Sequence, residues 1–199
     1  MRHPRFWRLS PRLVLVWGVL AFGVLAVMFT FSWFGRSASA DPEGRARPFT
    51  LAAEDFLEGS PLPPRSGLDR FGCDGHNAQP ALHWTGVPPG TMSFALTMTD
   101  HDAPIAGGFH HWVVYNIRAH ADSLHGISHV TQGTNSFGFP GYGGPCPPAD
   151  GQIHHYLFTL YALTATEPLS EGLTYDELIQ KIRRHVIGAT VTIGTFARR

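Results

Sequence analysis

Six polar side chains at the ends of three apolar runs could do chemistry in this sequence. Asp100 and Asp102 follow SFALTMT, His110 and His111 precede WVVYN, and His154 and His155 precede YLFTLYAL. From Asp100 to Asn116 the chain reads DHDAPIAGGFHHWVVYN and holds no lysine or arginine. A neutral imidazole donates one hydrogen bond and accepts another, and a neighbouring carboxylate decides which nitrogen carries the proton. An Asp/His pocket therefore suits a ligand with both negative and donor groups, whereas a lysine would favour any anion. Such a pocket can hold a phosphate monoester without arginine. The segment GYGGPC, ending at Cys146, adds backbone N–H donors if its glycines let the chain approach a ligand, and is otherwise an ordinary tight turn.

These groups can meet only if the runs beside them are strands of one sheet whose polar ends share a rim. ALHWTG, SFALTMTD, HHWVVYNI and HHYLFTLYAL are rich in β-branched and aromatic residues and bounded by Gly, Pro, Asn or Asp, the signature of short antiparallel strands. HHWVVYNI and HHYLFTLYAL are apolar at nearly every position, which fits strands covered on both faces. FTLAAEDF precedes them as a first strand and ATVTIGTF closes the fold. Thr174 with Glu177 is a capping box that starts a helix. Leu178, Ile179, Ile182 and Val186 fall on its inner face, and Gly188 stands where its C-terminal cap is expected. Residues 118–148 show little periodicity and read as a functional or mobile loop. Side chains alternate along a strand, so one imidazole of each His-His pair faces a given side. His111 and His154 are assigned to the pocket, with His110 and His155 flanking. A lone histidine at a strand end would ordinarily be solvated surface.

The 199 residues suffice for one domain with a real core. Arg2, Arg5, Arg8 and Arg12 precede an unbroken apolar run from Leu13 to Phe34, followed by Ala38, Ser39 and Ala40. This is either a cleaved secretory signal or an uncleaved N-terminal anchor. With the arginines retained in the cytoplasm, both versions export the remainder, to the periplasmic or extracellular side. Residues 1–40 are thus leader, 41–48 a linker and 49–199 the folded domain. Five of the 15 basic residues and none of the 15 acidic ones lie in the leader, so the exported part is mildly acidic. Its single lysine, Lys181, and the lack of clustered positive charge argue against nucleic acid. In an oxidising compartment Cys73 and Cys146 read as a disulfide, two free thiols being the alternative.

CDGHNAQPALHWTGVPPGTMSFALTMTDHDAPIAGGFHHWVVYNI, then GYGGPCPP and HHYLFTLYAL, resemble the phosphatidylethanolamine-binding or Raf kinase inhibitor-like proteins, in their bacterial branch, over Phe71 to Leu163. The resemblance implies a mainly β fold, a two-sheet antiparallel Greek-key sandwich with peripheral helices. It also implies a small pocket at one end of the sheets for phosphate, phosphoethanolamine head groups or similar anions. Motif by motif, D-x-D-A-P carries Asp100, Asp102, Ala103 and Pro104 to that pocket. The His-His motif carries His111, flanked by His110, G-x-C-P-P carries Gly144, Cys146 and Pro148, and H-x-Y carries His154 and Tyr156. His101, Gln79 and His110 depart from the usual proline, serine and tryptophan, so ligand preference transfers least.

The reading is an exported binding protein for a small anion, without catalysis or cofactor. The family name also offers a kinase or other protein regulator, although an exported domain would not meet cytoplasmic kinases and no protein partner is identified. A zinc or copper site lacks H-E-x-x-H, C-x-x-C or His-x-His spacing. A Cys146/His154 hydrolase conflicts with the prolines flanking the cysteine and with a disulfide, and there is no G-x-S-x-G elbow.

Overall fold

The computed structural model describes residues 47–124, 130–166 and 168–199. The apolar run, its reading as signal or anchor, and most of the linker lie outside them. Seven strands and one α-helix follow in chain order. They are β1 (Thr50–Ala53), β2 (Leu82–Thr85), β3 (Ser93–Asp100), β4 (Phe109–Arg118), β5 (Thr131–Gln132), β6 (His154–Leu163), α1 (Tyr175–Ile182) and β7 (Val186–Phe196). A 3₁₀ turn at Pro64–Ser66 lies between β1 and β2.

Two antiparallel sheets form, β1-β2 and β5-β4-β3-β6-β7. Strands β3, β4 and β5 are consecutive neighbours and β6 returns to lie beside β3, which is the Greek-key order. On one face of the large sheet Phe94, Leu96, Met98, Trp112, Val114, Tyr156, Phe158 and Leu160 pack with Leu51, Leu82 and Trp84 of the small sheet. On the other face Ala95, Val113, Tyr115 and Leu163 meet Leu173, Leu178 and Ile182 on and before α1. Being covered on both sides explains why β3 and β4 lack polar alternation: seven consecutive residues of β3, Phe94 to Asp100, are buried. Each large apolar side chain removed from water here contributes about 1.5 to 3 kcal/mol.

The helix begins where expected. Thr174 caps it, and Glu177 accepts from the Thr174 backbone N–H at 2.9 Å and from its hydroxyl at 2.8 Å. It ends earlier than the spacing suggests. The helix ends at Ile182 with Arg183 as its C-cap, and Val186 and Gly188 belong to β7. The run VIGATVTIGTF already alternates at period two from Val186, and pairing with β6 wins over another helical turn. Gly188 is small for packing rather than capping: a Cβ there would lie 2.7 Å from Cγ of Pro88. The loop of residues 118–148 also hides β5, whose two residues pair with Val114 and Tyr115 of β4.

Candidate functional site

Asp100 ends β3 and His154 begins β6, and both continue the even-numbered rows that face the small sheet, behind Met98 and behind Tyr156 and Phe158. Plain alternation therefore brings them together. His111 gets there differently. In β4 the even residues Trp112 and Val114 occupy this face, so alternation alone would place His110 on it and turn His111 to the helix side. A β-bulge intervenes: Met98 pairs with Trp112 and Thr99 with His110, leaving His111 without a partner. The extra residue shifts the phase of the strand, as bulges beside functional sites do. His111 then lies against Tyr156, ring centroids 5.2 Å apart. His110 turns to the other side, stacked on Tyr175 at 3.7 Å with Nδ1 3.0 Å from the Thr99 hydroxyl.

The three side chains line a cavity of about 170 Å³, together with Ala103, Pro104, Ile105, Phe109, Phe137, Cys146, Pro147 and Pro148. Asp100 organises it. Its Oδ1 accepts from the backbone N–H groups of Asp102 at 2.9 Å and Ala103 at 3.2 Å, which folds the Pro104 turn over the cavity. Its Oδ2 accepts from Nδ1 of His154 at 2.8 Å. Just outside, Oδ2 of Asp102 accepts from Nδ1 of His155 at 2.8 Å and from its backbone N–H at 2.6 Å. The His155 ring first, and then its backbone N–H, hold the Asp102 carboxyl below the usual carboxylate range. The structure thus gathers Asp100, Ala103, Pro104, His111, Cys146, Pro148 and His154 on one cavity. Asp102, His110, Gly144 and Tyr156 stand outside its lining. The Tyr156 hydroxyl is buried with no hydrogen-bond partner among the described residues. Burial, and then the charge of Asp100, push its ionisation far above the ordinary phenol value.

The opposite wall is Cys146, Pro147 and Pro148, carried by the segment that begins at Tyr142. Nδ2 of Asn77 donates to the Tyr142 carbonyl at 2.9 Å, and its Oδ1 accepts from Gly144 N–H at 2.7 Å. The Tyr142 hydroxyl donates to the Ser66 carbonyl at 3.0 Å. Gly144 is obligatory, since a Cβ would sit 2.1 Å from the Ser66 carbonyl oxygen. Cys146 is bonded to Cys73, Cα atoms 5.9 Å apart, which ties the wall to the loop after the 3₁₀ turn. No thiolate is therefore free for a nucleophile among the described residues.

Phe109, Phe137, Ile105 and Pro147 are lining residues that reasoning from polar motifs misses. Phe137 is held in place because buried Asn135 accepts from the N–H groups of Phe137 and Phe139 and donates to the Gly141 carbonyl. Phe137 meets Phe109 edge-on at 4.6 Å and His111 at 5.4 Å. The signal was the aromatic spacing of SFGFPGY, which turn-forming residues on either side masked. Among the described residues no group of three His, Cys, Asp or Glu side chains could hold a metal ion.

Hydrogen-bond geometry settles the form of His111. Its Nδ1 lies 2.7 Å from the Gly143 carbonyl oxygen, which can only accept, so Nδ1 carries the hydrogen. Burial then pushes the imidazole down to about 4, only partly offset by Gly143 and by Asp100. The ring is neutral at pH 7, with a bare lone pair on Nε2. His111 therefore spends its one hydrogen on Gly143 and keeps Nε2 as an acceptor.

A larger cavity, about 380 Å³, lies at the other ends of the same strands between Tyr115, Leu163, Leu169 and Ile182. Several of its polar groups are engaged: Tyr115 donates to the Ser170 carbonyl, and Asn116 bonds Thr131 and Leu169.

The Greek-key arrangement of antiparallel sheets is the fold of a known class. The chain belongs to the phosphatidylethanolamine-binding protein family, whose family model matches residues 52–197. It is 35% identical over 150 residues to YbcL of Escherichia coli K12, a UPF0098 protein, covering 70% of this chain and 78% of that one. It is 37% identical over 158 residues to LppC of Mycobacterium tuberculosis, provisionally named a lipoprotein, covering 78% and 75%. The crystal structure of E. coli YbcL, described as a new member of the mammalian family, superposes with a TM-score of 0.71 at 31% identity, covering 76% of this chain and 99% of that one. A Chlamydia trachomatis homologue, CT736, gives 0.68 at 30% identity, covering 76% and 98%.

Proposed function

We propose that this protein is an exported, non-catalytic receptor for a small oxyanion, phosphate or a phosphate-bearing head group, held in the Asp100/His111/His154 cavity. The observation that carries the reading is the convergence of these three side chains, from three strands, on one enclosed space. At about 170 Å³ the space is smaller than the roughly 300 to 1,000 Å³ of sites for drug-sized ligands. It suits a head group rather than a whole lipid. The buried imidazoles keep their Nε2 atoms for the ligand, because Gly143 and Asp100 occupy the Nδ1 atoms. No covalent chemistry is required of any group: the cysteine is bonded, and the carboxylate is taken up by three donors.

Export is supported by the basic and then apolar leader, Arg2 to Phe34, and by the Cys73–Cys146 bond, which suits an oxidising compartment. The provisional lipoprotein name of the mycobacterial relative agrees with a membrane-tethered version. The described helix is too short to cross a membrane, so a tether would be the leader itself.

Calorimetric titration of the purified protein with phosphoethanolamine and with inorganic phosphate at pH 6 tests the proposal. Saturable 1:1 binding of either, weakened at least tenfold in His154→Ala, is expected, in line with about 1.5 to 3 kcal/mol for a hydrogen bond to a charged group. Binding of neither, or unchanged affinity in the variant, would overturn it.

A further inference from the structure

The cavity that would take an oxyanion is built without a lysine or arginine, and the one fixed charge facing His111 from β3 is the Asp100 carboxylate, itself an anion. The other titratable groups around His111 are its neighbour His110 on β4, turned to the far side of the sheet, and His154 and Tyr156 of β6. Tyr142, on the glycine-rich wall, has its hydroxyl committed to Ser66. Asp102 and His155 form their own pair at the rim, and His101 lies in the turn between Asp100 and Asp102.

Two further features restrict the ligand. The Nδ1 hydrogen of His111 is fixed by the Gly143 carbonyl, so its Nε2 presents a lone pair to whatever enters. A phosphate oxygen without a hydrogen would meet that lone pair with one of its own. A dianion would also bring its second negative charge beside buried Asp100 with no lysine or arginine in the lining to compensate it, and such desolvated repulsion is costly.

We propose that the cavity selects a singly charged oxyanion that still carries one hydrogen, its P–O–H group donating to His111 Nε2. This rests on the oxyanion reading above and specifies it: the ligand is the monoprotonated form of a phosphate monoester. The dianion and the sulfate or diester analogues, which lack the hydrogen, are discriminated against. Neutrality of His111 over the whole physiological range supports the assignment, because the imidazole cannot switch to a donor there.

The second ionisation of a phosphate monoester lies near pH 6. Above it the ligand must take up a proton to bind, so the dissociation constant should rise about tenfold per pH unit, the linkage for one proton. The experiment titrates the purified protein with methyl phosphate, dimethyl phosphate and methyl sulfate at pH 6.0, 7.0 and 8.0. Proton uptake is read from buffers of different ionisation enthalpy, and the bound methyl phosphate is observed by ³¹P NMR at pH 8.

Three results are expected: methyl phosphate weakens about fiftyfold from pH 6 to 8 with uptake rising to near one proton at pH 8, the bound ³¹P signal keeps the position of the monoanion, and the two analogues bind at least tenfold more weakly than methyl phosphate at pH 6. A pH-independent affinity, a bound dianion signal, or methyl sulfate binding as tightly as methyl phosphate would overturn this inference and leave the oxyanion receptor standing. Failure of all three compounds to bind at pH 6 would overturn both.

Discussion

Two Asp–His pairs lie side by side where β3 ends and β6 begins, with the same Nδ1–carboxylate distance and unlike surroundings. Asp100 with His154 and Asp102 with His155 both place Nδ1 2.8 Å from a carboxylate oxygen. The side chains of the inner pair are 5% (Asp100) and 9% (His154) exposed, and those of the outer pair 44% (Asp102) and 53% (His155). The inner carboxylate also holds two backbone N–H groups, and its histidine faces a cavity. The outer pair closes only on itself. Distance therefore says little about what such a pair does; burial and the remaining bonds decide whether it is a structural and ligand-binding element or a screened surface contact.

The largest expected contrast is in stability. Asp100→Ala strands a buried imidazole N–H and two backbone N–H groups, and breaking a buried pair in this way costs about 3 to 5 kcal/mol. Urea unfolding at pH 7 measures it, and a loss under 1 kcal/mol would erase the distinction between the pairs. Next comes the buried His111. Its pKa falls from 6.5 to about 4 on folding, so the unfolded chain binds more protons between those values. The stabilisation is complete above pH 6.5 and is lost as pH drops toward 4. At about 1.4 kcal/mol per pH unit this amounts to roughly 3 kcal/mol. Unfolding free energies measured from pH 7 to 4 should show this slope, and His111→Asn should flatten it.

Third, His154→Ala should lower phosphoethanolamine affinity at least tenfold and His155→Ala less than about twofold, since only the inner ring faces the cavity. Equal losses in a calorimetric comparison would mean that the rim, not the cavity, holds the ligand. The smallest effect is that of Asp102→Ala, under about 1 kcal/mol at pH 7 by thermal unfolding. The carboxyl's lowered pKa means that this contribution exists above the ordinary carboxylate value of 3.8 and disappears as pH falls below it.

The inner members of this comparison were unequally legible. Asp100 and His154 continue apolar rows at period two, and β3 and β6 have the bounds their composition suggests. His111 was assigned to the cavity from alternation and resemblance, yet alternation within β4 alone points to His110. The bulge that reverses them is a property of strand pairing, which a one-dimensional pattern does not contain. For the same reason the two-residue strand β5 could not be read, because it exists only through its contact with β4. The early end of α1 was masked by Val186, whose spacing fits both a helix face and the first residue of β7. The tautomer of His111 depends on a carbonyl 32 residues away, and the apolar walls at Phe109 and Phe137 depend on loops that Asn135 folds.

Long-range ¹H–¹⁵N spectra of the histidine rings during titration with phosphoethanolamine at pH 6 bear most directly on the central claim, that residues from three strands form one receptor. The account predicts that the Nε2 resonances of His111 and His154 shift together along one saturation curve while those of His110 and His155 stay in place. Shifts confined to His155, or separate saturation curves for His111 and His154, would contradict it.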